Sequence, residues 1–225
     1  PEPLTNPRLI VLSDGGIGFR DDPGNWQGIA FNAADQIILK SDRSVCESAL
    51  WKAIETADGL GKPTLVLAAS ELRRGPAAIP AGLTWEETFQ EFLRELVPGN
   101  ALAPLTHCRN LVVSFDSEAA VHLRLTAPGE LHTAQVTFVY HASKIEEDAK
   151  YETEGKAFGY LTCFTAAIAA GIAAGEGGHL APRIAAGIAA MQDLLREGHG
   201  LSLESPRGFP DERISKRLLD PQEHF

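Results

Sequence analysis

Three cysteines, spread as Cys46, Cys108 and Cys163, leave this 225-residue chain without the material for a disulfide framework. The odd count and the lack of a C-x-x-C pair equally argue against a cysteine-built zinc site. A reducing, cytoplasmic setting is the expectation. Cations are also scarce: 20 Lys+Arg against 30 Asp+Glu give a net charge of −10. Wide nucleic-acid binding needs clustered Lys and Arg to neutralise phosphates, and an anionic membrane surface asks for the same. Neither nucleic acid nor membrane is an expected partner.

Long hydrophobic runs are missing as well. The longest nearly apolar stretch, residues 158–175, is rich in Ala and Gly and carries Tyr160, Thr162 and Thr165. It is too short and too weakly apolar to span a bilayer, so a buried helix is expected. Residues 1–7 are polar and proline-rich, unlike a signal peptide. With Pro1 in first place, the sequence reads as a processed chain or a piece excised from a larger one. The chain has no G-x-G-x-x-G, no G-x-x-x-x-G-K-[ST], no G-x-S-x-G elbow and no H-E-x-x-H. Its seven histidines show no zinc-like grouping.

What is present is an alternation of strands and helices. Leu9–Ser13 is a short apolar run that ends in the glycine turn Asp14-Gly15-Gly16-Ile17-Gly18. Gln36–Lys40, Pro63–Ala69 and Asn110–Phe115 read as further strands. The Pro63 run does not alternate, which predicts burial on both faces. Val121–Leu125 is expected to pair with the Asn110 strand through a turn at Asp116-Ser117, and Gln135–His141 adds another strand. Ser44 with Glu47, and Thr84 with Glu87, have the spacing of capping boxes. The first predicts a helix to about Thr56. The second predicts one with Trp85, Phe89, Phe92, Leu93 and Leu96 on a single face, stopping at Pro98-Gly99. A loop from Ser70 to Gly82 holds Arg73 and Arg74, and two Ala-rich helices are expected over about Tyr160–Ala174 and Pro182–Arg196. The expected fold is α/β, three α-β-α layers around a largely parallel central sheet. One domain covers residues 1–200, and residues 201–225 form a polar docking segment or connector.

In an open α/β sheet a ligand sits beyond the carboxyl ends of the strands. The backbone N–H groups of Gly15 and Gly16 there suit an anion, against the plainer reading of a tight turn. Lys40, Arg73 and Arg74 are candidate cations for a phosphate or carboxylate. Ser114 and Asp116 close the fourth strand. Asp14 with Asp21 and Asp22 has the makings of a Mg2+ cluster, although Asp21-Asp22 before Pro23-Gly24 also suits a solvated turn.

Taken in order, residues 111–198 resemble the C-terminal part of the ribokinase-like (carbohydrate and vitamin kinase) superfamily, with a vaguer match back to Leu9. Val112-Val-Ser-Phe-Asp-Ser-Glu-Ala119 stands where that family has a strand and a T-L-G-x-x-G turn. Gly159-Tyr-Leu-Thr162-Cys-Phe164 stands at its G-A-G-D-x-F helix start, with small residues following from Ala166 to Gly171. The resemblance implies a ribokinase-like fold, ATP with Mg2+ as cofactors, and a small-molecule or nucleotide ligand held near Gly159 and Thr162. It also implies that the family's catalytic Asp is replaced by Thr162, whose hydroxyl cannot serve as a base near neutral pH. Loss of a general base typically costs ~10²–10⁴ in rate. Both glycines of the first turn and the middle glycine of the second motif are missing too, the latter replaced by Leu161. The reading preferred from these departures is a catalytically impaired domain that binds a nucleotide or small anion as a sensing or interaction module of a larger protein. Two alternatives stay open: an ATP-dependent phosphotransferase in which Asp14 or Asp116 replaces the base, and a structural domain that forms a homo-oligomer.

Overall fold

The computed structural model describes residues 9–13, 21–27, 29, 31–41, 48–57, 63–72, 77, 79–80, 82–115, 119–127, 129–131, 134–140, 165–166, 168–170, 173, 180, 183–184 and 214–218. Its frame is a seven-stranded sheet: β1 (Leu9–Ser13), β2 (Gln36–Ser41), β3 (Pro63–Ala68), β4 (Asn110–Phe115), β5 (Ala119–Arg124), β6 (Gln135–Tyr140) and β7 (Ile214–Leu218). The strands lie side by side in chain order. β1 to β4 are parallel; β4–β5, β5–β6 and β6–β7 pair antiparallel. The sheet is therefore mixed: the parallel arrangement expected from the sequence covers its first half only. The reason is connection length. Parallel neighbours need a crossover of a dozen or more residues, which the first three links supply, whereas β4 and β5 are joined by residues 116–118 alone and can only form a hairpin. The polar C-terminal segment contributes β7 along the free side of β6.

Among the described residues, three α-helices lie in the crossovers: α1 (Ala49–Thr56) between β2 and β3, then α2 (Ala69–Leu72) and α3 (Trp85–Glu95) between β3 and β4. α1 starts four residues later than the sequence pattern suggested. Its cap is Ser48, whose side chain accepts the N–H of Trp51 at 3.1 Å. Ser44 and Glu47 lie outside the described residues. α3 begins as expected: Thr84 accepts from Glu87 N–H at 3.2 Å, and the Glu87 carboxylate accepts from Thr84 N–H at 2.8 Å. Both ends of that reciprocal pair satisfy amides that would otherwise be orphaned in the first turn. The helix caps at Leu96, and Gly99, at φ +97°, takes the left-handed conformation that turns the chain away. In the β1–β2 crossover, 3₁₀ turns at Pro23–Trp26 and Phe31–Ala33 bury Trp26 and Phe31.

Because side chains alternate along a strand, the sheet has two faces. Ile37 and Leu39, Leu65 and Leu67, Leu111 and Val113, Val121 and Leu123 share the first. They form one buried cluster with Leu50, Trp51 and Ile54 of α1 and Phe89, Phe92 and Leu93 of α3. Both helices thus cover the same face, as sequential strand order with right-handed crossovers requires. Each fully buried Leu, Ile or Phe there contributes on the order of 2 kcal/mol. The second face is buried along β2 to β5 and mixed in chemistry, with Ile38, Val66, Val112 and Ala120 beside Lys40, Thr64, Asn110, Ser114 and His122, while Val11 of β1 on the same face is 49% exposed. Ile168, Leu180 and Ile184, from the Ala-rich part of the chain, are buried outside the first-face cluster.

Candidate functional site

Parallel pairing from β1 to β4 brings four carboxyl ends to one edge of the sheet. The register places Lys40 of β2 level with Val66 of β3 and Val112 of β4, and Ser114 two residues further along β4. Lys40 and Ser114 project from the same face, are only 5% and 2% exposed, and stand two strands apart. Standard strand spacing and rise put their Cα atoms roughly 12 Å apart. A lysine stem and one intervening phosphate or carboxylate span such a gap. Both residues already make interactions within the protein.

Most of the other sequence candidates lie outside the described residues. Asp14 follows Ser13, the last residue of β1, and Asp116 follows Phe115, the last of β4. Both lie outside the described residues, as do Gly15, Gly16, Arg73, Arg74, Gly159 and Thr162. Arg73 does not leave β3 directly. The one-turn helix α2 intervenes, where the sequence pattern suggested a loop from Ser70 onward. Asp22 acts locally, since its Oδ1 accepts Gly24 N–H at 2.9 Å and caps the 3₁₀ turn Pro23–Trp26. Among the described residues no three His, Cys, Asp or Glu side chains come together as a cation site. The described residues thus do not assemble a donor set for Mg2+.

The polar feature that sequence pattern did not disclose lies deeper on the second face. Asn110 of β4 is paired with Thr64 of β3, and its Nδ2 donates to Thr64 Oγ1 at 2.9 Å. His122 of β5 is diagonal to Asn110 across the antiparallel pair, a spacing that long side chains bridge. His122 Nε2 lies 2.9 Å from Asn110 Oδ1. A carboxamide oxygen only accepts, so Nε2 carries the proton and the ring is the Nε2–H tautomer. Burial pulls the imidazole down from 6.5 to about 4, and the Arg124 guanidinium two residues along β5 adds to the shift. At neutral pH the chain of three is uncharged. A signal for it was present in the sequence: Thr64 and His122 are lone polar residues between apolar neighbours, and Asn110 opens an apolar run. Metal-ligand spacing, the property by which histidines are first sorted, plays no part in this arrangement.

The carboxyl edge of a mixed α/β sheet with a buried lysine and serine defines the class of this site. No family model, no curated protein and no solved structure matches the chain. Among the described residues no helix is long and apolar enough to cross a membrane.

Proposed function

We propose that the protein binds a small anionic ligand, a nucleotide phosphate above all, at the carboxyl edge of β2 and β4. In this reading it is a ribokinase-like domain without its catalytic base that acts as a sensing or interaction module. The observation that carries it is the pair Lys40 and Ser114, drawn from two strands to one face and one edge and both almost wholly buried. A cation and a hydroxyl converging at strand ends suit one localised anion, which also agrees with an otherwise acidic chain. Burial of the second face along β2 to β5 supports the three-layer form of the fold. Thr162 at the position of the family's Asp supports binding without turnover.

Calorimetric titration with ATP, ADP, inorganic phosphate and uncharged adenosine tests the proposal. The expected result is binding of the three anions and none of adenosine, with affinity for ATP at least tenfold weaker in Lys40→Met. Absence of binding by the wild-type protein overturns the proposal in favour of a structural or oligomerising domain. ATP turnover that disappears in Asp14→Asn or Asp116→Asn overturns it in favour of a working phosphotransferase.

A further inference from the structure

We draw no further inference here: the strongest candidate, the buried Thr64–Asn110–His122 side-chain cluster on the second face of the sheet, carries nothing beyond its place in the core, because only its response to acid would make it a switch and no ligand or second arrangement is seen for it among the described residues.

Discussion

His122 Nε2 and Asn110 Oδ1 lie 2.9 Å apart between neighbouring antiparallel strands, with both side chains almost completely buried. The bond joins the parallel half of the sheet to its antiparallel half. It also fixes which protonation state of His122 the fold accepts. A neutral ring donates one N–H to Asn110; a doubly protonated ring adds a buried charge near Arg124.

Acid therefore weakens the fold through His122, with a sign that follows from linkage. The folded-state value, about 4, lies below the ordinary 6.5. Above 6.5 the ring is neutral in both states and costs nothing. Below it the unfolded chain takes up a proton that the folded chain resists, and stability falls until the pH reaches about 4. The full effect is about 3 kcal/mol. Urea denaturation at pH 7.5, 5.5 and 4.5 should show this loss in the wild-type protein. His122→Gln should lose markedly less over the same range. Equal slopes in the two proteins would show that His122 is not the group responsible.

Asn110 holds the central place in the chain of three, so its removal costs more than removal of either end. Asn110→Ala strands the His122 N–H and removes the donor to Thr64, and a loss of about 3 kcal/mol is expected from unsatisfied buried groups together with the cavity. Thr64→Val keeps the shape, leaves only the Asn110 amide short of one acceptor, and should cost about 1 kcal/mol. Chemical denaturation midpoints at pH 7.5 measure both. If Thr64→Val proved as damaging as Asn110→Ala, the polar chain would not be the stabilising element.

Much of this fold is readable from residue pattern, and the exceptions have physical causes. The strands at Leu9, Gln36, Pro63 and Asn110 are legible because each is a short apolar run beside turn residues. The Thr84–Glu87 box marks α3 to the residue. The Ser44–Glu47 spacing pointed to a cap in the wrong place, because Ser48 is itself a capping residue and its hydroxyl reaches Trp51 N–H. The antiparallel pairing of β4 with β5 is set by loop length, since three residues cannot make a parallel crossover. β7 was not legible: Ile214-Ser-Lys-Arg-Leu218 reads as polar, and its strand conformation depends on the open edge of β6. At the site, Lys40 and Ser114 were visible as strand-end residues, but their common face follows only from the register. The His122–Asn110–Thr64 contact joins three strands, and no local spacing encodes it.

The Thr84 cap is separable from the core beneath it. Thr84→Ala removes the acceptor for Glu87 N–H and should destabilise the protein by about 1 kcal/mol. Thr84→Ser keeps the hydroxyl and should recover most of that. Thermal unfolding followed by circular dichroism gives both values. An alanine variant as stable as the serine variant would mean that the first turn of α3 is held by its packing alone. Trp85, whose ring centroid lies 5.9 Å from that of Phe115, is the side chain that would supply that packing.

Lys40 offers a test that reads ligand binding through stability. A ligand that binds only the folded state at a hundred times its Kd adds about 2.7 kcal/mol. For a chain of this size that raises Tm by roughly 5–10 °C. ATP should produce such a rise in the wild-type protein, and Lys40→Met should abolish most of it while its ligand-free unfolding remains cooperative. Ser114→Ala, which removes one hydroxyl and keeps the cation, should retain an intermediate shift. Adenosine serves as the control for contacts that do not involve phosphate. If ATP stabilises Lys40→Met as much as wild type, the anion is held somewhere other than the β2–β4 edge. That outcome would separate nucleotide binding as such from the place assigned to it.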